Sequence, residues 1–245
     1  MQMNPIIVIP ARMASTRLPG KPLADIGGLP MIVQVWKRAV ESGLGEVVVA
    51  CDGQAIAEAI TKAGGRAVIT DPDLPSGSDR IWQALKIADP QKKHDMVINL
   101  QGDMPTLDAR IIGTGLKLLE NKAVDIGTLA AVITNPHEKS DPAVVKAIIE
   151  LEKNGTQGRA VNFTRAAATG AGPHYHHIGI YFYRRASLEK FVSLPPSPLE
   201  QKEKLEQLRA QEAGMRIDAA IVDTVPLGVD TPETLEKARK LIGQS

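Results

Sequence analysis

The chain has 245 residues, 43% hydrophobic and 3% aromatic, and its 29 Lys and Arg against 28 Asp and Glu give a formal net charge of +1. A near-neutral chain has no global field for nucleic acid or an anionic membrane, the few aromatics offer few platforms for stacking bases, and no apolar stretch reaches the roughly 18 residues of a membrane span. The single Cys51 cannot form an internal disulfide, and the short N-terminal apolar run is closed by a proline, so a cytoplasmic protein with no membrane or nucleic-acid partner is expected.

Residues 6–9 are four aliphatics that end at a Pro/Gly-rich break, which predicts a buried strand running into a loop. That loop, residues 10–23, reads P-A-R-M-A-S-T-R-L-P-G-K-P-L and carries Arg12, Arg17 and Lys21, with no acid before Asp25. Fixed cations and backbone N–H groups in a Gly-containing loop suit a polyphosphate, and a solvated basic loop is the alternative for the same residues. The loop is not of the G-x-x-x-x-G-K-[ST] type. That pattern needs Gly where Ser15 stands and a hydroxyl where Pro22 stands, and Pro22 also disfavours helix at Lys21. A metal would have to be held by other residues.

Further along, apolar residues at Met31, Ile32, Val35, Trp36 and Ala39 predict a helix over residues 31–42, stopped by Gly43. Strands are expected at 46–50, 67–70 and 96–100, and helices at 55–63, 78–88 and 109–121. This β-α-β alternation implies an α/β fold with a mostly parallel sheet flanked by helices on both faces, in which ligands bind beyond the carboxyl ends of the strands. The second half changes character, with strands at 126–133, 144–151 and 177–183 and a mobile Gly-rich loop at 166–173. Ser197-Pro198-Leu199-Glu200 reads as a helix start, with the helix expected to reach about Ala213; a strand follows at 217–222, and Thr231-Pro232-Glu233 begins a last helix. With no repeat or linker, residues 1–245 read as a single domain.

Several groups could carry chemistry. Asp103, in Gln101-Gly102-Asp103, directly follows a predicted strand and reads either as a Mg²⁺ ligand or as a turn or cap residue. Asp230 precedes a helix start and has the same two readings; two acids at strand-to-helix turns could meet at one end of the sheet. Ser76-Gly77-Ser78-Asp79-Arg80 opens a helix, either as a base or phosphate contact or as an ordinary cap. His174, His176 and His177 match no zinc spacing, and His177 alone begins an apolar run. Arg165 is either a bidentate carboxylate clamp or a surface arginine.

Taken together, the segments at residues 10–23, 76–80, 101–103, T-R-A at 164–166, H-I-G-I-Y-x-Y-R at 177–184, P-S-P-L-E-Q-x-E-x-L-E-Q-L-R at 196–209 and G-V-D-T-P-E at 228–233 resemble the 3-deoxy-D-manno-octulosonate (Kdo) cytidylyltransferases nearly end to end. The first loop is shared with the wider sugar nucleotidyltransferases, and the later segments are particular to the Kdo enzymes. The resemblance implies a nucleotide-diphospho-sugar transferase-like α/β fold with a mixed, mostly parallel sheet flanked by helices, and a homodimer formed through part of the second half. The reaction it implies is CTP plus Kdo giving CMP-Kdo and pyrophosphate, with Mg²⁺, for lipopolysaccharide synthesis. By matching positions it implies that Arg12, Lys21 and Asp103 are catalytic, with Arg12 and Lys21 on the triphosphate. Ala11, Ser78, Arg80 and Gln101 would surround the nucleotide, Asp103 and Asp230 would hold metal, and Arg165, His177, Tyr181, Glu206 and Gln207 would face the sugar acid.

Two positions depart from that pattern. Met104 stands where Q-G-D-E-P is common, and a thioether is a poor Mg²⁺ ligand. Asp79 stands where Glu is usual and reaches about one methylene less. The competing readings are the same reaction on an amino-Kdo analogue and a non-catalytic nucleotide-binding regulator, against which the retention of both Asp103 and Asp230 argues.

Overall fold

The computed structural model describes residues 3–243. In chain order its elements are β1 (Pro5–Ala11), β2 (Asp25–Ile26), β3 (Leu29–Pro30), α1 (Met31–Glu41), β4 (Glu46–Cys51), α2 (Gln54–Lys62), β5 (Arg66–Ile69), α3 (Gly77–Ala88), β6 (Met96–Asn99) and α4 (Arg110–Leu116). There follow β7 (Ile126–Val132), β8 (Lys146–Leu151), β9 (Gln157–Thr164), β10 (Tyr175–Arg184), α5 (Arg185–Ser193), α6 (Pro198–Glu203), α7 (Gln207–Glu212), β11 (Ile217–Val222) and α8 (Pro232–Ile242). They fall into two compact units, one of Met1–Ile112 with Pro226–Ser245 and the other of Gly113–Val225.

The first unit is built on parallel strands in the order β5-β4-β1-β6. Ile6, Ile7, Val8 and Ile9 are fully buried, as a near-continuous aliphatic run in a parallel sheet should be, and each contributes about 1.5–3 kcal/mol of transfer free energy. β1 continues through Pro10, which the sequence reading assigned to the loop. Pairing with β6 ends at Val8, so at Pro10 the strand is flanked only by β4 and the missing N–H is tolerated. A second buried cluster, of Leu18, Ile26, Met31, Val229, Leu235 and Ala238, fastens the first loop and α8 to one another.

The second unit orders its strands β10-β7-β11-β9-β8, with β10 also pairing β8; only β7 and β11 run parallel. Several elements differ from expectation. β9 and α5 were not foreseen, because β9 alternates apolar and exposed residues too irregularly to stand out. The helix expected over 109–121 is α4 followed by a 3₁₀ turn at Lys117–Glu120. The helix expected to reach Ala213 is broken into α6 and α7 by Lys204, at φ 57° in the left-handed region. Among the described residues no helix is long and apolar enough to cross a membrane.

Candidate active site

A cavity of about 740 Å³ opens in the first unit at the carboxyl ends of β1 and β6, lined by residues 10–12, 14–17, 21–22, 74–77, 80, 101–103 and 230. The first loop is held over it at three points. The Asp52 carboxylate accepts from the Met13 N–H at 3.0 and 3.1 Å. Leu18 is sunk in the cluster shared with α8. Gly20, at φ 67°, turns the chain into the 3₁₀ turn that presents Lys21, a left-handed conformation in which a side chain is strained.

The two acids of the sequence reading meet here. Val229 N–H donates to the Asp103 carbonyl at 2.9 Å, which sets Asp230 beside the end of β6. Lys21 Nζ then donates to Asp103 Oδ2 and Asp230 Oδ1, both at 2.9 Å, and Arg17 reaches Asp230 Oδ2 at 3.0 Å. Burial alone would lower the Lys21 pKa, but the charge and hydrogen bonds of Asp103 and Asp230 outweigh it and raise the ammonium above its ordinary value. Burial would raise Asp230, yet Lys21 and Arg17 hold it below the usual carboxylate range. Asp230 is not a helix cap: Thr231 caps α8 in a capping box with Thr234. Arg12 is exposed and unpaired among the described residues, a free cation at the cavity wall.

This donor set fits a hard divalent cation. Two carboxylate oxygens converge on one ammonium, and they are no farther apart than twice 2.9 Å. Among the described residues no group of three or more His, Cys, Asp or Glu is placed to form a complete cage. Mg²⁺ is typically bound in this way, by one or two carboxylates with waters and phosphate oxygens filling the shell.

Gly102 has a structural reason besides leaving room for a ligand. A Cβ there would lie 2.7 Å from the Pro10 carbonyl oxygen and 3.2 Å from Ile32 Cδ1, so only glycine lets the ends of β6 and β1 approach. Ser76 caps α3, accepting from Asp79 N–H, and donates its hydroxyl to the Asp79 carboxylate at 2.7 Å, which is the contact this shorter acid makes. Ser78 is buried and does not line the cavity. Arg80 lines it but is nearly buried. It donates to Thr70 Oγ1 and to the carbonyls of Asp71 and Pro72, so it braces the loop between β5 and α3. Gln101 lines the cavity with its amide against Asn99 Oδ1 at 3.3 Å.

The residues matched to the sugar acid gather in the second unit. β10 slips register against β7 between Ile178 and Tyr181. Four residues of regular strand would span about 13 Å, whereas the His177 and Tyr181 rings stand 5.6 Å apart. Thr128 Oγ1 fills this bulge, 2.9 Å from the Ile180 carbonyl and 3.0 Å from His177 Nε2. If the hydroxyl donates to the carbonyl, Nε2 carries the imidazole proton and Nδ1 is left as an acceptor. Burial, then His176, pushes the His177 pKa down to about 3, so the ring is neutral. Burial, then the Glu206 charge, pushes the Tyr181 phenol up. Gln207 is buried, and its Nε2 has no hydrogen-bond partner among the described residues. Arg165 donates to the carbonyls of Pro142 and Glu203 at 3.0 and 3.3 Å, the latter just before the break at Lys204.

The sequence reading missed Asp52, Ser15 and Thr16. Asp52 carried a usable signal, since it follows a parallel strand in Cys51-Asp52-Gly53 much as Asp103 follows β6.

Comparison with known proteins bears directly on this geometry. Residues 6–217 match the family described as cytidylyltransferase. A 3-deoxy-manno-octulosonate cytidylyltransferase of Parvibaculum lavamentivorans is 61% identical over 242 residues, covering 98% of this chain and 93% of the relative. One from Rhodospirillum rubrum is 60% identical over 241 residues, covering 98% and 96%. A solved CMP:2-keto-3-deoxy-manno-octonic acid synthetase complexed with CTP has a TM-score of 0.89 at 38% identity, covering 98% of this chain and 99% of its own.

Proposed function

The chain belongs to the cytidylyltransferase family, and as one of its 3-deoxy-manno-octulosonate cytidylyltransferases we propose that it transfers CMP from CTP to Kdo and releases pyrophosphate. The observation that carries the chemical part is the junction of Asp103, Lys21 and Asp230 on the wall of a cavity large enough for a nucleotide.

In this reading the sugar's anomeric hydroxyl attacks the α-phosphorus of CTP in line and pyrophosphate departs. Arg12 and Lys21 bind the triphosphate, and the raised pKa of Lys21 keeps it a cation throughout the physiological range. Asp103 and Asp230 would hold a divalent cation, Mg²⁺ in our reading. When bound, that ion offsets triphosphate charge and lowers the pKa of the attacking hydroxyl. Ala11, Gln101 and the start of α3 border the nucleotide, with Arg80 fixing the loop before α3 and Ser78 acting from beneath the wall. Arg165 recognises the sugar's carboxylate, neutral His177 offers Nδ1 to a hydroxyl, and Tyr181, Glu206 and the unpaired amide of Gln207 complete the polar surroundings. A homodimer through the second unit belongs to the same proposal, supported by the exposed apolar side chains of Val132, Ile148 and Val161.

The test is pyrophosphate release with CTP and a panel of acidic sugars that includes Kdo and its amino analogue, with UTP, ATP and GTP as controls. The expected result is release that requires both CTP and Kdo and stops with EDTA. Preference for the amino analogue would move the substrate assignment, and release independent of sugar would overturn it.

A further inference from the structure

Lys146 lies outside every role given so far. It is the only charge in the run of residues 144–149 and begins β8. It is 1% exposed, a rare state for a lysine without a partner acid. Its Nζ donates to the Asp141 carbonyl at 2.6 Å and makes no ion pair among the described residues; the Asp141 carboxylate is turned to the Ala143 N–H at 2.8 Å. On the neighbouring strands Lys146 sits opposite Thr164, whose successor is Arg165, and opposite His176. Burial disfavours the charge on Lys146, the nearby Asp141 carboxylate favours it and Arg165 disfavours it again, with a net lowering of its pKa; the partners of Arg165 are the carbonyls of Pro142 and Glu203. Two cations thus brace consecutive carbonyls of one turn, Asp141 and Pro142, and among the described residues no carboxylate is hydrogen-bonded to either. Burial of the ammonium beside a second cation costs free energy that the Asp141 charge offsets only in part and that a bound anion would offset further.

We infer that Lys146 is a positioning and specificity residue for the acidic sugar: it fixes the turn at Asp141 and Pro142 against which Arg165 is set, and its ammonium adds to the field that selects a carboxylate. The inference rests on the reading of Arg165 as the sugar-acid clamp. Arg165 alone would bind a carboxylate by its fork, whereas the pair excludes neutral sugars more strongly, because without ligand only the Asp141 charge favours the Lys146 ammonium, and burial and Arg165 outweigh it.

The test uses the full chain with Lys146→Met, which keeps the stem and removes the charge, and Lys146→Arg, which keeps the charge. For Lys146→Met the Kdo KM should rise at least tenfold with the CTP KM within twofold, and thermal stability without ligand should hold or increase. Lys146→Arg should recover much of the Kdo KM. An unchanged Kdo KM in Lys146→Met, an equal rise in both KM values, or loss of the folded state in both variants would overturn the inference. Wild-type enzyme and Arg165→Ala are measured alongside. No turnover of Kdo by wild type would sink the parent reading, whereas a normal wild type and an impaired Arg165→Ala beside an unaffected Lys146→Met would sink this inference alone.

Discussion

Asp103 and Asp230 each present one carboxylate oxygen to the same ammonium, Lys21 Nζ, at 2.9 Å. Each acid is therefore hard to replace. Asp103→Asn and Asp230→Asn should each lower kcat on the order of 10²–10³, the range for loss of one preorganised charge stabiliser. Pyrophosphate release under saturating CTP and Kdo measures this, and near-wild-type turnover in either variant would remove that residue from the reacting centre.

The ammonium between the two acids also has a consequence without nucleotide. Lys21 neutralises the carboxylates that a cation would use, so wild-type enzyme should bind Mn²⁺ weakly in the absence of CTP. Lys21→Met should bind it at least tenfold more tightly while losing about 10²–10³ in kcat. Titration followed by the Mn²⁺ electron paramagnetic resonance signal gives the first quantity, and equal affinities in the two proteins would contradict the pairing as a determinant of metal binding.

Gly102→Ala tests the packing beneath the site. The added Cβ meets the Pro10 carbonyl oxygen at 2.7 Å, a backbone atom that cannot turn away, so the variant should lose roughly 1–3 kcal/mol in urea denaturation. Unchanged stability would mean that this glycine serves ligand access alone.

How much was legible beforehand follows from the physics of each element. The parallel half was readable because its strands are unbroken aliphatic runs such as Ile6–Ile9 and because strand ends in such sheets carry the ligand groups. That Asp103 and Asp230 could meet was readable as a possibility from their shared position at strand-to-helix turns. Their bridging by Lys21 was not, since it depends on the Val229-to-Asp103 hydrogen bond and on Leu18 packing against α8. The second unit was harder. Lys204 gives no sign in sequence of its left-handed conformation, yet that turn sets the Glu203 carbonyl against Arg165 and begins the approach to Glu206 and Gln207. The slip in β10 that joins His177 to Tyr181 arises from pairing with Thr128 across the sheet, which no local pattern encodes.

His177 predicts a pH dependence. Its folded pKa, about 3, lies below the ordinary 6.5, so the unfolded chain takes up the proton first. Stability is then fully present above pH 6.5 and is lost as pH falls through the window toward 3. Between pH 6.5 and 5 this amounts to roughly 2 kcal/mol. His177→Gln should flatten the fall in stability over that interval, measured by urea denaturation at several pH values, and parallel curves for the two proteins would show that His177 is not the group responsible.

The central claim is that a phosphodiester forms between CMP and the acidic sugar, and phosphorus NMR of a reaction containing only enzyme, CTP, Kdo and Mg²⁺ tests it most directly. The account predicts that the three CTP resonances are replaced by one CMP-sugar phosphodiester signal and one pyrophosphate signal of twice its intensity, with no change when Kdo is left out. CTP that stays intact with Kdo present, or is hydrolysed to CMP without it, would contradict the account.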